Sequence, residues 1–551
     1  MLSALLCLAS HALAAPACPP GDENFRAFYA DPAPFRAAIA GAESYTPSNE
    51  RLSGITVPHH LVAGHLVALG FRAASGFRYR RIVILSPDHF FEAQKPFATT
   101  ARGFDDVFGA VAADGGAVGR LLGNDFVEES CLFARDHGVR AMLPFLHHYF
   151  PEARIVPVAI SIKAGRAEWD RMEAALEKIV DADTLVVQST DFSHYRPQHE
   201  AKAFDQQTLN VLASGSLDQL AALRQPDHAD SVGALYIQAK LQKRLSGAAP
   251  LVIASENQQQ YADGIVPRTT SYMVILFGRF GAGFDNAATG RERFAYFAGD
   301  TMFGRAMTRL LLDEAAAERI EAEILTRTKG RPLVVNLEGV LLPDVPAALD
   351  HMTLGMPAEL AIDWLRRLNV VGVGLANNHA FDLGEAGYAE TRAALAQAGI
   401  PAAGQGERLS LPALDVVALS DLGRNGPRAE AQVTPALLDR LKGDGDRPLV
   451  AFIHWGREYV AAPGDREKEL AEAMRLSAVS LVVGAHPHIA GGDPVAHGGG
   501  DMLEIHSLGN FLFDQPARRS SGVLLEVRAF EQGTFFARPI PLPNFFDMGK
   551  D

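Results

Sequence analysis

At 551 residues the chain is longer than one ordinary hydrophobic core organises, so two or more domains are expected. With 48% hydrophobic and 21% charged residues its composition is that of a globular protein, which excludes a disordered or fibrous chain. A formal net charge of −14 without any basic run excludes nucleic acid or an anionic membrane surface as the main partner, and leaves small-molecule or polymer substrates.

The chain opens on a short apolar run that closes in Ala12-Leu13-Ala14, which reads as a secretory signal peptide over residues 1–15 with no basic start. The run is well below the ~20 apolar residues of a membrane span, and no other segment reaches that length. A secreted or periplasmic protein with no transmembrane span after signal removal is expected. Cys18 follows Ala15-Pro-Ala17, a poor lipobox, so a membrane-associated lipoprotein stays open. Three cysteines make no disulfide framework. Cys131 reads as a free buried thiol, with pairing to Cys18 as the alternative in an oxidising compartment.

From about residue 50, apolar strand-like runs end in ligand-type residues. They are Gly54-Ile-Thr-Val-Pro-His59-His60, Arg81-Ile-Val-Ile-Leu-Ser-Pro-Asp88-His89 and Thr184-Leu-Val-Val-Gln-Ser-Thr-Asp191-Phe-Ser-His194. Helical spacing over Gly64 to Ala74 and Ala167 to Val180 separates them, as an α/β sheet requires. Pro58-His59, Ser86-Pro-Asp-His89, Asp136-His137 with Leu143-Pro-Phe-Leu, Ile155-Val-Pro-Val158 and Ser189-Thr-Asp191-Phe-Ser-His194 resemble the Memo family, called AmmeMemoRadiSam system protein B in bacteria. The resemblance implies a class III extradiol-dioxygenase fold over residues 45–280. It also implies a single metal on His59 and His89, with Asp191 and His194 close by. The family's usual ligating cysteine is missing from Gln225-Pro-Asp227-His228-Ala-Asp230-Ser-Val-Gly233, and Arg140 stands where the family has a glutamate. Either Asp227 or His228 replaces the thiolate in a harder two-histidine, one-carboxylate site, or the site has lost its metal.

Residues 281–292, rich in Gly and small side chains, read as a linker. Beyond it, over residues 293–530, the same pattern returns. Phe294 to Asp300, Leu333 to Glu338, Val370 to Asn378-His379, Leu449 to His454 and Ser480 to His486-Pro-His488 are apolar runs ending in oxygen or imidazole ligands. Open α/β sheets build their sites beyond the carboxyl ends of strands. This donor set suits Zn, Mn or Fe better than Ca or Mg. Pro487 biases His486 toward extended geometry, which would aim His486 and His488 to one face. Helical spacing recurs from Met356 and from Gly384, Ser521 to Phe530 reads as a closing strand, and residues 531–551 as an irregular C-terminal tail.

Gly299-Asp300, Asn336-Leu-Glu338-Gly, Asn378-His379-Ala-Phe-Asp382, His454-Trp-Gly456, Gly484-Ala-His486-Pro-His488 and Ser507-Leu-Gly-Asn510 resemble the CapA-like family, of the poly-gamma-glutamate capsule-synthesis type within the calcineurin-like metallophosphatase superfamily. That likeness implies an αββα sandwich, so the fold class expected is α/β with two domains. It implies a dinuclear centre in which Glu338 bridges, with Asp300 and His488 on one side and Asn378, His454 and His486 on the other. His379, oriented by Asp382, would protonate the leaving group. Asp300-Thr-Met302 lacks the superfamily's second histidine, which weakens one metal position. Two readings follow. One is an exported hydrolase, with two divalent ions (Mn, Fe or Zn) here and one more left open in the N-terminal domain, acting on a phosphoester or a γ-glutamyl envelope polymer. The other is a non-catalytic polymer-binding or capsule-assembly factor. Oligomeric state is not legible.

Overall fold

The computed structural model describes residues 23–281, 284, 292–346, 349–350, 352–422, 432–441 and 447–550. The signal-peptide reading of residues 1–15, Cys18 and most of the 281–292 linker lie outside the described residues. Cys131 is disulfide-bonded, which corrects the free-thiol expectation: a single pair needs no framework, and a cysteine count alone does not exclude one. The other cysteines, Cys7 and Cys18, lie outside the described residues. Among those described, no helix is long and apolar enough to cross a membrane.

The fold is mixed α/β and divides into two compact units. One comprises the chain up to His194 with Arg224–Ala249 and Tyr272–Arg279; the other comprises Tyr195–Leu223, Pro250–Ser271 and the chain from Phe280 onward. In the first unit, strands β1 (Gly54–Val57), β2 (Arg81–Pro87), β3 (Phe97–Thr99), β4 (Val127–Glu129), β5 (Arg154–Ile160), β6 (Thr184–Ser189) and β7 (Thr269–Gly278) lie side by side in the order β7-β1-β6-β2-β5-β3-β4. β1, β6, β2 and β5 are parallel neighbours and β7 closes antiparallel on β1. β1, β2 and β6 are buried along their whole length, the pattern of parallel strands covered on both faces. Helices Gly64–Ala74 and Arg166–Glu177 sit where the periodicity put them. Since β1, β2 and β6 run the same way, the residues that follow them meet at one edge of the sheet.

The second unit contains β8 (Arg293–Thr301), β9 (Leu333–Leu337), β10 (Val370–Gly374), β11 (Ala402–Ala403), β12 (Arg408–Ser410), β13 (Asp415–Ser420), β14 (Leu449–His454), β15 (Leu481–Ala485), β16 (Val495–His497), β17 (Met502–Ile505), β18 (Gly522–Ala529) and β19 (Phe535–Leu542). They form two six-stranded sheets, β11-β10-β9-β8-β18-β19 and β12-β13-β14-β15-β17-β16. Alternation along the strands explains the layering. Tyr296, Ala298, Leu333, Val335 and Leu337 face a core shared with Trp364 and Leu365 of helix Ala358–Arg367. Leu449, Ala451, Ile453 and Val482 face another, shared with Leu470 and Met474 of helix Asp465–Leu476. The intervening residues look inward, where the Phe297 and Phe452 rings meet at 5.9 Å. Helices outside, sheets inside: the αββα arrangement.

One expectation changes here. Residues 531–551 are not an irregular tail, because β19 pairs antiparallel with β18 from Gly522↔Leu542 to Ala529↔Phe535. Pro539 and Pro541 hid the strand, and β19 tolerates them because it is the edge of its sheet. Helix Gln198–Ser214 belongs to the second unit. There Gln206 bonds Phe535 through both its amide atoms, at 2.9 and 3.0 Å, and Asn210 Nδ2 donates to Gly500 O at 2.7 Å.

Candidate metal centres

In the second unit the inward-facing alternation carries straight into the site. Val334 looks inward, so Asn336 and Glu338 do too, and in β14 His454 follows Val450 and Phe452 to the same side. By the same count Asp300 would face the helices. A bulge between Ala298 and Asp300 shifts the register with β9 and turns the carboxylate inward. Gly299 is required at that bulge, since a Cβ there would lie 1.9 Å from Gly509 O.

The result is one buried cluster of all eight residues the sequence singled out. His488 Nδ1 is 3.2 Å from Asp300 Oδ2, and Asn510 Oδ1 is 2.8 Å from the same nitrogen. His454 Nε2 is 2.8 Å from Asn378 Oδ1, with its other nitrogen 3.1 Å from Asn336 Nδ2, which also donates to Asp300 at 2.9 Å. The His454 and His486 rings are 4.8 Å apart. His379 Nδ1 is 2.8 Å from Asp382 Oδ2, an oxygen that also accepts Leu354 N–H, and its Nε2 is 3.7 Å from Glu338 Oε1.

Both oxygens of Glu338 are buried and, among the described residues, have no hydrogen-bond partner. Burial and the neighbouring Asp300 carboxylate push its pKa up to about 7. Asp300, buried yet contacted by His488, His454 and His486, is held down at about 2. Burial drives His454 well below the usual imidazole range and His486 to about 4, whereas the carboxylates of Asp300 and Glu338 carry His488 up to about 9 against its burial. A buried carboxylate left unsatisfied, with the neutral imidazoles of His454 and His486 in the same cluster, is a donor set awaiting a cation. Asp300, Glu338 and His488 alone bring three ligand atoms within 4.8 Å of one another. The residues fit a metal.

His486 and His488 reach this cluster by a different route from the one the sequence suggested. Their φ angles are +96° and +59°, so the segment is a left-handed turn, not extended. The turn lets His486 N–H donate to both Asp300 oxygens, at 3.2 and 3.1 Å, which an extended strand could not do. Tyr459, also left-handed at φ +62°, donates its N–H to Pro487 O at 2.8 Å. Such backbone strain costs about 1–3 kcal/mol per residue and gathers at functional sites.

In the first unit the ends of β1 and β2 bring His59 and His89 together, Nε2 to Nε2 at 3.0 Å. Asp230 Oδ2 lies 3.1 Å from His59 Nε2 and 3.9 Å from His89 Nε2, and the buried Oδ1 of Asp230 has no hydrogen-bond partner among the described residues. Asp191 accepts His59 N–H at 3.0 Å and has its other oxygen 3.6 Å from Nε2. The His137 ring stacks on His89 at 4.1 Å. Asp136 fixes His89 through Nδ1 at 2.9 Å and through its backbone N–H at 2.8 Å. Burial opposes charge on His59, but Asp191, Asp230 and Asp136 hold its pKa at about 9. His137, buried beside His89 and His59, falls to about 4. His194 acts electrostatically on Asp230.

The structure does not bring Asp227 or His228 to this cluster. Arg224 Nε donates to Asp227 at 3.3 Å and Arg224 N–H to His228 Nδ1 at 3.1 Å, folding both back on their own turn. Asp230, His137 and Asp136 are what the sequence reading missed as site residues. The available signal was capping: Ser231 is the N-cap of helix Val232–Ser246, its hydroxyl accepting Ala234 N–H, and this sets Asp230 at the helix mouth.

Two α/β units, each gathering at the ends of parallel strands histidines and carboxylates that could hold a metal, define a two-domain protein. Its halves have separate kin. Residues 28–249 match the family described as Memo-like protein, and residues 295–417 and 420–515 match that described as bacterial capsule synthesis protein PGA_cap. The chain is similar to "PGA biosynthesis protein CapA" of Bacillus subtilis (strain 168), 29% identical over 203 residues, covering 32% of this chain and 52% of that protein. It is similar to "Capsule biosynthesis protein CapA" of Bacillus anthracis, 28% identical over 196 residues, covering 31% and 47%. A "MEMO1 family protein" of Caldivirga maquilingensis is 26% identical over 157 residues, covering 26% and 54%. The chain spans about half the length of these curated relatives.

Proposed function

We propose that the second unit is a metal-dependent hydrolase acting on a phosphoester or on a capsule or envelope polymer of the γ-glutamyl type, in an exported protein. The observation that carries this reading is Glu338, a buried carboxylate whose oxygens have no hydrogen-bond partner among the described residues, 3.7 Å from His379 Nε2, 4.0 Å from His454 Nε2 and grouped with Asp300 and His488 within 4.8 Å. Asp300 and His488 would hold one divalent ion (Mn, Fe or Zn), and Asn378, His454 and His486 a second, with Glu338 between them. Ions bound there supply Lewis acidity and neutralise charge on the oxygens of the bond being cleaved.

The chain's own residues do the rest. Asp382 fixes the ring of His379, and against burial Asp382 and Glu338 raise its pKa, which favours the protonated ring. His379 therefore delivers a proton to the leaving group from Nε2. Asn336 and Asn510 orient Asp300, His454 and His488 from behind. Export is supported by the disulfide at Cys131, since such bonds persist in oxidising compartments.

For the first unit we propose one ion held by His59, His89 and Asp230, with Asp191 and His194 beside it. The unsatisfied Asp230 Oδ1 supports this. The test of the hydrolase reading uses the full chain, stripped with chelator and reloaded with Mn, Fe or Zn. Turnover of bis-p-nitrophenyl phosphate or of a γ-glutamyl oligomer is expected to return with metal. Stoichiometric metal binding with no turnover of either would favour the assembly factor instead.

A further inference from the structure

A cavity of about 480 Å³ abuts the second unit's cluster, lined by Tyr459, Ile489, Arg518, Arg519, Ser520 and Ser521. Its wall is tied to a ligand-type residue. Ser521 N–H donates to His488 O at 3.2 Å, Ala490 N–H donates to Ser521 Oγ at 2.9 Å, and the Tyr459 ring lies 6.0 Å from that of His488. A relay runs back the same way: His488 to Asn510, Asn510 Nδ2 to Gln515 Oε1 at 3.1 Å, and Gln515 Nε2 to Tyr459 OH at 3.2 Å. Whatever occupies the cavity is therefore in register with His488.

The two arginines are the unusual part. Both are exposed, and among the described residues neither guanidinium is hydrogen-bonded or salt-bridged. Arg518 does act on Asp547 electrostatically, but that carboxylate already accepts Ala517 N–H at 2.7 Å and Lys550 Nζ at 3.2 Å. On a chain of net charge −14, two adjacent uncommitted cations beside a hydroxyl-lined hollow are a local reversal of sign. Guanidinium pairs bind carboxylate and phosphate oxygens by forked hydrogen bonds.

We infer that Arg518 and Arg519 form an anion subsite that selects an anionic chain as substrate, holding a carboxylate or phosphate one cavity length from the bond at the metal cluster. This rests on reading that cluster as the reaction centre. The chemistry is shared by a γ-linked polyglutamate and by a phosphodiester polymer, and the experiment separates them.

Full-length protein is titrated with fluorescein-labelled hexa-γ-glutamate and, separately, with a labelled glycerol-phosphate hexamer, by anisotropy under conditions without turnover. One of the two is expected to bind, with affinity falling as salt rises. Arg518→Ala with Arg519→Ala should weaken it at least ~10-fold, the size of one lost charged hydrogen bond, while metal content stays at the parent value. Arg518→Lys with Arg519→Lys, which keeps both charges and loses the forks, should bind between parent and alanine variant and so exclude misfolding as the cause. Equal affinity in parent and alanine variant, or no binding of either probe by the parent, overturns the subsite. Because binding is read without turnover, failure of the separate turnover assay counts against hydrolysis and leaves the subsite standing.

Discussion

The two clusters share a topology and differ in how their charges are balanced. In the first unit each ring on the central pair faces a carboxylate: His59 faces Asp230 and Asp191, and His89 faces Asp136. In the second, burial keeps His454 and His486 neutral, and the Glu338 carboxylate has no hydrogen bond among the described residues. The first cluster is close to self-compensating. The second is not, and a buried carboxylate without a partner is costly. Strand-end geometry therefore sets where a site forms, and charge balance sets how strongly it depends on an ion.

That contrast is open to direct attack. The largest effect should come from Glu338→Gln, which removes the charge the ions balance: metal-dependent turnover is expected to fall to background, with bound metal reduced. Parent-level metal and turnover in this variant would break the comparison. Next, His454→Ala and His486→Ala should each strip metal from the same site, and the double variant should be hardly worse than either, because ligands of one ion are non-additive. Additive destabilisation with full metal content would make them ordinary core residues. His379→Ala should lower kcat by ~10²–10⁴-fold with metal retained, the usual size of a lost proton donor; metal loss would make it a ligand instead.

Glu526 sharpens the point as a buried carboxylate that is fully partnered. Against burial, Arg528, Arg538 and Tyr296 hold its pKa at about 2. Because this is below the ordinary glutamate value of about 4.5, its contribution to stability is present above pH ~4.5 and lost as pH falls toward 2. Denaturant titrations from pH 6 to 2 should show that loss in the parent, of order a few kcal/mol, and a flatter profile in Glu526→Gln. The smallest effect is expected from Asp136→Asn, which keeps the side chain's shape while weakening its hold on His89. Measured in the Glu338→Gln background, N-terminal metal affinity should drop by ~10–100-fold, and an unchanged affinity would remove His89 from the ligand set.

What the sequence made legible was whatever obeys local periodicity. Strand ends carrying Asp300, Glu338, His454, His59 and His89 could be read because buried parallel strands are continuous apolar runs that stop abruptly. The bulge at Ala298/Asp300 and the left-handed turn at His486 could not, because both are imposed by contacts made elsewhere in the chain, with Gly509 and with Asp300. Asp230 was passed over for Asp227 and His228 since all three are plausible ligands by type and only the fold of their turn separates them. β19 was hidden by prolines that an edge strand permits.

The assignment of helix Gln198–Ser214 to the second unit has a practical side. Between His194 and Phe280 the chain changes unit five times, at 194/195, 223/224, 249/250, 271/272 and 279/280. A single scission would therefore part residues that pack within one unit. A gene cut at residue 280 leaves the downstream fragment without the helix whose Gln206 grips Phe535. Such fragments should be insoluble alone and recover when co-expressed, and any exchange of one half between homologues would have to carry three pieces of chain at once.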